Sequence, residues 1–506
     1  MKSANFLWLC VVLVSIAGDG VNYENSFAGG LVQQDAFLNH MGWTSKTIPD
    51  TLNQLIGPIQ SLGQLVGGFM AAIYNDYLGR RHTLLAGCVI TCVGNALLIA
   101  SPNVPALLIG RILMGVSAAF LNNGVAMYCS EVAEPNTRGT ANNVQFLFGQ
   151  AITIAASGIN LAISGLPITA NWGWRLACSV IFIPMVTMGI SIWIVCPESP
   201  RWLIMKGRYD EALEVLLKIR SEGIKTEKVM LEYNEMKAAV VYEQEHNETS
   251  YWHFIKNKAA IKRTLIAMSS SLWWIFNGNA IFTYYFRTVY IGAGITDTHT
   301  QYLLQLMNSL LGFVATCIGA YGIDKWGRRM AGITATSVAA VSLCIMCAIS
   351  VRFLDGQEVP SRAAGIAFIF MYNFETTIWQ ATWNTIGMLY GAEIWAPSLR
   401  AKGFSLGCFT GMAAGFVSTY TATPTLNRLQ GYTWLLYGGF CALACFQVWA
   451  TWPETLGKNL EEIELYFDTG AAKQVRNVMD HKEENSADDK LSITDNEKEN
   501  IDIRSE

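Results

Sequence analysis

The chain has 506 residues, of which 52% are hydrophobic and only 15% charged, where a soluble protein of this length carries about 25% charged residues. Its charges are concentrated between apolar runs of about 20 residues, each long enough to cross a bilayer as a helix, so the fold class is an all-α polytopic membrane protein. A net charge of −4 and the lack of a basic tract exclude a nucleic-acid partner.

The first element, MKSANFLWLCVVLVSIAG, has the short positive start, apolar core and small residues of a secretory signal. Read instead as a membrane helix, it completes an even set of spans, and the internal repeat described below selects that reading. Apolar runs bounded by charge, Gly or Pro then fall at 6–29, 52–75, 82–101, 105–129, 140–163, 176–196, 264–289, 301–322, 331–352, 363–392, 402–423 and 432–452, twelve spans in all. Arg80 and Arg81, Arg138, Lys325 with Arg328 and Arg329, and Arg400 with Lys402 all follow even-numbered spans. Basic residues collect in cytoplasmic loops, so these loops and both termini are expected in the cytoplasm.

The chain divides into a first six-span half at 1–197, a cytoplasmic linker at 198–263, a second half at 264–467 and a polar, acid-rich tail at 468–506. The linker holds GRYDEALEVLLKIRSEG, where Ala212, Val215, Leu216 and Ile219 at helical spacing predict an amphipathic helix. The tail is too poor in apolar residues to fold and is expected to be disordered. Asn247-Glu-Thr is a glycosylation sequon that this topology keeps in the cytosol, unmodified. The twelve cysteines sit inside apolar spans with no zinc-ligand spacing, so no metal, no cofactor and no disulfide is expected.

A repeat is the strongest signal. Asp76-Tyr-Leu-Gly79-Arg80-Arg81 follows span two, and Asp324-Lys-Trp-Gly327-Arg328-Arg329 follows span eight. Glu131 stands seven residues before Arg138 at the end of span four, and Glu393 seven before Arg400 at the end of span ten. Pro197-Glu198 closes span six and Pro453-Glu454 closes span twelve. Three motif pairs in register predict two six-helix halves of the same orientation, related by an axis along the membrane normal, with a solute site near the midplane between them. Glycine allows a tight turn, and an Arg pair beside acids offers fork-shaped donors. Asp76, Arg80, Arg81, Glu131 and Arg138, with Asp324, Arg328, Arg329, Glu393 and Arg400, are therefore expected to form charge clusters that lock the cytoplasmic gate. Gly63 and Gly67, and Gly110 and Gly115, suit close helix packing.

These motifs, with Pro197-Glu-Ser-Pro-Arg-Trp-Leu and Glu393-Ile-Trp-Ala-Pro-Ser-Leu-Arg, resemble the sugar-porter branch of the major facilitator superfamily over about residues 15 to 467. GNAIFTYYFRTVYIGAGITDTHTQ looks more particularly like the fungal permeases of lactose, cellobiose and hexoses. The resemblance implies alternating-access transport of a sugar or polyol. Asn22-Tyr23-Glu24-Asn25-Ser26 falls where proton-coupled members carry Gly-Tyr-Asp-x-Ser in span one, which gives Glu24 the coupling position and makes Arg111 of span four its expected charge partner. An acid inside a membrane helix costs about 2.5–3.5 kcal/mol on insertion scales and marks a functional site by default; a carboxylate withdrawn from water exchanges its proton closer to neutral pH. Asp19 matches no family motif.

The departures are as informative. Sugar porters usually carry one or two Gln before the span-seven Gly, where this chain has Trp273-Trp274-Ile275-Phe276-Asn277-Gly278, and Glu375 in span ten is an unexplained acid. The candidate solute ligands are Gln145 and Gln150 in span five, Asn277, Asn279, Tyr284 and Tyr285 in span seven, Gln305 and Asn308 in span eight, and Trp383 and Asn384 in span ten. Amides both donate and accept, which suits a neutral hydroxyl-bearing ligand. No P-loop, Ser/His/Asp set or metal cluster is present, so no enzyme activity is expected. The reading is a proton-coupled sugar importer working as a monomer in the plasma membrane. The alternatives are a carrier of a non-sugar ligand, quinate-like or a secondary metabolite, and a non-transporting sugar sensor; the short acidic tail favours transport over sensing.

Overall fold

A computed structural model describes residues 3–31, 35–42, 57–134, 137–166, 171–246, 256–355, 361–395, 400–456 and 466–467, with Leu55 and Phe254; within these stretches some residues are described by their backbone alone. The sequon at Asn247 and the tail from 468 lie outside the described residues.

Among the described residues, the helices of the two halves, apart from the short Asp35–His40, group into twelve rods. In the first half these are Ser3–Leu31, Pro58–Leu78, Arg80–Ala100, Val104–Val132, Arg138–Ser164 and the pair Asn171–Val180 and Phe182–Val195. In the second they are the pair Lys258–Ile275 and Asn279–Gly292, then Thr298–Trp326, Arg328–Ile349, the pair Arg362–Ala381 and Trp383–Glu393, Arg400–Leu429 and Tyr432–Thr451. Seven of these stretches are long and apolar enough to cross a bilayer by length and composition, among the described residues.

Local signals explain the ends. Asn103 caps span four by accepting from the Ala106 amide at 3.2 Å, and Asp297 caps span eight by accepting from the Thr300 amide at 2.9 Å. Each satisfies an amide that the helix itself cannot. Span seven breaks at Asn277-Gly278, where Gly278 has φ +85°, a left-handed conformation that costs glycine little. Span ten, at 363–392 in the sequence, is interrupted at Thr382, and the break lets Trp383 stack on Trp379 with ring centroids 5.2 Å apart.

Burial sorts along the two halves. One apolar core draws on residues from Leu7 to Ile219, another on residues from Phe254 to Phe467. Span one belongs to the first core through Leu7, Cys10, Val11, Val14 and Ala17. Spans two and four pack backbone on backbone: a Cβ on Gly115 would stand 2.1 Å from the Gln60 carbonyl oxygen, and one on Gly63 2.3 Å from that of Ile112, the close approach that small residues permit in membranes. The halves meet where span two faces span eleven and span five faces span eight. Span eight is the counterpart of span two, and span eleven of span five, so one pseudo-twofold axis relates both seams. The linker helices Pro200–Met205, Tyr209–Arg220 and Glu227–His246 share a small core of their own, built on Trp202, Leu203, Leu216 and Tyr233.

Candidate functional site

Two constructions stand out: a capped basic layer at one end of each half, and a polar cavity between the halves.

In the basic layer of the first half, Gly79 turns the chain with φ +101°, and a Cβ there would stand 2.5 Å from the Glu198 Oε2. That turn delivers the first amides of span three to Glu198: the Arg80 amide donates to its Oε1 at 2.9 Å and the Arg81 amide at 3.1 Å. A carboxylate at a helix N-terminus satisfies orphan amides and meets the positive end of the dipole. Arg80, nearly buried, donates to Glu131 at 2.8 Å and lies 3.8 Å from Asp76, while the Ser199 hydroxyl donates to the other Glu131 oxygen at 2.5 Å. Arg81 turns away from the acids: it donates to the Trp193 carbonyl and stacks on that residue's ring at 4.9 Å. All these contacts lie within the first half or join it to the first residues of the linker, Glu198 and Ser199.

The second half repeats the construction. Gly327 has φ +81°, a Cβ there would stand 2.6 Å from the Glu454 Oε2, and Glu454 accepts from the Arg328 amide at 2.8 Å and the Arg329 amide at 3.0 Å. Arg329 donates to the Trp449 carbonyl at 2.6 Å. Tyr128 donates to the Pro197 carbonyl at 3.1 Å, as Tyr390 does to that of Pro453 at 2.8 Å. The side chains of Arg138, Asp324, Glu393 and Arg400 lie outside those described. The role of Glu198 and Glu454 as helix caps escapes a reading by local spacing, because the amides they receive are more than 100 residues away.

The cavity, about 130 Å³, is lined by Gln150, Thr153 and Ser157 of span five, Asn279, Phe282, Thr283, Phe286 and Tyr290 of span seven, Gln305, Asn308, Ser309 and Gly312 of span eight, and Tyr372, Thr376 and Gln380 of span ten. Two hydrogen bonds cross between the halves within it, Gln150 to Gln380 at 3.3 Å and Ser157 with Ser309 at 2.9 Å. Asn308 donates to Asn373 at 3.0 Å and to Thr376 at 3.1 Å. The Gln305 Oε1 is buried with no hydrogen-bond partner among the described residues, an acceptor of the kind that a binding site leaves open.

Of the candidate ligands, the cavity brings together Gln150, Asn279, Gln305 and Asn308. It does not include Gln145, which donates to Asn122 at 3.4 Å and faces Gly18 of span one. Asn277 instead caps the second piece of span seven, accepting from the Asn279 amide at 3.0 Å. Trp383 is fully buried between Trp379 and Trp452, and Asn384 is off the lining. The side chains of Tyr284, Tyr285, Asp19 and Glu24 lie outside those described. Arg111 is buried and donates to Gln60 at 3.1 Å. Trp273, ahead of the span-seven break, donates to Gln447 of span twelve at 2.6 Å and so serves the second half's interior. The lining residues not anticipated carry a helical signature: Tyr372, Thr376 and Gln380 are spaced by four, and Thr153 and Ser157 extend the same stripe from Gln150.

The profile of the family described as "Sugar (and other) transporter" matches residues 10–467. The "MFS glucose transporter mfs1" of Aspergillus flavus is 26% identical, covering 93% of this chain and 91% of that protein. The "Quinate permease" of Neurospora africana is also 26% identical, covering 97% and 96%. Among solved structures, the MFS proton:xylose symporter XylE bound to 6-bromo-6-deoxy-D-glucose superposes with a TM-score of 0.74 at 20% identity, covering 92% of this chain and all of that one; the likeness shows a shared fold.

Proposed function

We propose that this chain, which belongs to the sugar (and other) transporter family, is a secondary active transporter that carries a neutral, hydroxyl-rich solute, a hexose or a disaccharide, by alternating access. One observation carries the reading: among the described residues, the cavity between the halves is lined by amides, hydroxyls and aromatic rings with no charged side chain, and it has an open acceptor at Gln305. Such groups match sugar hydroxyls in number and kind, and aromatic faces suit a sugar's CH surface. A glucose transporter among the relatives and a xylose symporter of the same fold support it. A quinate-like acid would bring a carboxylate to a lining that offers it no cation among the described residues, so the neutral solute is preferred over the reading that the permease relative suggests.

In this reading Gln150, Asn279, Gln305 and Asn308 hold the solute, and Gln380 closes on it from the second half. Glu24, on a helix whose backbone packs along span four, takes up the coupling proton, and Arg111 balances its charge. The basic layers face the cytoplasm, with both termini, and form the rigid ends of the cytoplasmic gate. The working unit is a monomer in the plasma membrane.

The test is uptake of radiolabelled glucose, lactose, cellobiose and quinate at acid and neutral pH in a transport-deficient host. Uptake of a saccharide, stronger at acid pH and insensitive to pH after Glu24→Gln, is the expected result. Quinate uptake alone, or none of the four with surface expression verified, overturns the sugar assignment. Unchanged pH dependence in Glu24→Gln removes that residue from coupling.

A further inference from the structure

Span ten carries an acid, Glu375, that the transport reading leaves without work. Its side chain is 3% exposed, and its Oε1 is buried with no hydrogen-bond partner among the described residues. It lies on the aromatic face of Arg362–Ala381, one turn from Tyr372 and one from Trp379, both buried. Tyr372 connects it to the cavity, whose wall it forms and where its hydroxyl donates to Asn279 at 3.3 Å. Its charge is felt by Cys441 of span twelve, whose Sγ is 4.0 Å from the carbonyl oxygen of Phe276, beside the span-seven break. Glu375 thus stands one turn along span ten from the cavity wall that Tyr372 forms.

Among the described residues, the titratable groups around this pair are Tyr290 on span seven, Cys344 on span nine, and Tyr437 and Cys441 on span twelve; span eight faces span ten with Asn308, which is uncharged. Phenols and thiols are neutral near pH 7, and none of these groups is a cation. A bare carboxylate in such surroundings carries a desolvation cost with nothing to offset it, whereas the neutral acid fits among aromatic rings.

We propose that Glu375 is a proton-binding site separate from Glu24, occupied in the conformation seen here and emptied when span ten and the second piece of span seven part. On release the carboxyl O–H bond breaks, the proton passes to water admitted through the cavity, and the carboxylate left behind is hydrated. The cycle in which this happens rests on the transport reading; the protonation does not.

The test uses the purified full-length chain in lipid. In infrared difference spectra between neutral and alkaline pH, the wild type is expected to lose a protonated-carboxyl C=O band that Glu375→Gln lacks and Glu24→Gln retains. No such band in the wild type, or the same band in Glu375→Gln, overturns the proposal. Should Glu375→Gln fail to fold, Glu375→Asp replaces it: a shifted band supports the assignment and an unmoved one overturns it. In proteoliposomes, Glu375→Gln is expected to keep solute exchange while losing part of the acid stimulation of net uptake. Glutamine has the shape of the neutral acid, so a purely structural Glu375 would leave the wild-type pH profile in place and sink the release step. If no solute is moved at all, the transport reading fails and the infrared result still decides.

Discussion

The two halves are alike at their basic ends and unlike in their middles. At the ends, Gly79 and Gly327, Glu198 and Glu454, Trp193 and Trp449, and Tyr128 and Tyr390 make corresponding contacts. In the middles, span seven is broken where its counterpart, span one, is continuous, and span ten is broken where span four is continuous. The cavity takes three lining residues from span five and the other twelve from spans seven, eight and ten. The comparison teaches that repetition persists at the turns that hold helix ends together, and fades around the cavity proposed to hold the solute. A rigid end is needed twice; a ligand is bound once.

The largest effect that tests this likeness is at the turns. Gly79→Ala and Gly327→Ala each force a side chain into positive φ and against a carboxylate, and each is expected to cost about 2–4 kcal/mol, seen as loss of folded protein in detergent. A tolerant Gly327 beside an intolerant Gly79 would break the equivalence of the ends. Next, Glu198→Ala and Glu454→Ala each remove a helix cap, and each is expected to lower stability by about 1–2 kcal/mol in thermal melts. Similar shifts sharpen the comparison.

The middles are tested by Gln150→Ala and Gln380→Ala, each expected to raise the KM for the transported solute about tenfold with normal folding. A larger effect of Gln380 fits a site that leans on the second half. The smallest effect concerns Asp297, which caps span eight, whereas span two begins at Gly57 and Pro58 with no side-chain cap. Bonds from the Thr300 hydroxyl and amide hold the Asp297 carboxyl below its ordinary range. A depressed folded value means the contribution is complete at neutral pH and is lost as pH falls below the ordinary carboxylate range. Asp297→Asn should therefore matter at neutral pH and not in acid, read as faster amide exchange at Thr300.

Much of this was legible in the sequence where the determinants are local. A Gly before an Arg pair and an apolar run of fixed length each specify structure from adjacent residues, so twelve spans and the repeat could be read directly. Position within a span could not. Asn277 looked like a ligand because it is a polar residue in an apolar helix, but the break beside it supplies an amide for it to cap. Trp383 looked like a cavity aromatic, yet the interruption at Thr382 turns it into a stack with Trp379. Gln380 went unnoticed because its partner, Gln150, lies 230 residues away in the other half.

The linker helices have a mechanical consequence. Arg220 donates to the Val132 carbonyl at 2.9 Å, the Trp202 indole to that of Asp76 at 3.2 Å, and Lys218 sits over the Phe6 ring at 4.9 Å. Three such rivets to spans one, two and four make Pro200–Arg220 a passenger of the first half. A spin label on the exposed side of Tyr209–Arg220 is thus a fiducial mark: its distance to Tyr77 should hold constant through the cycle, and its distance to Trp326 should record each swing of the second half.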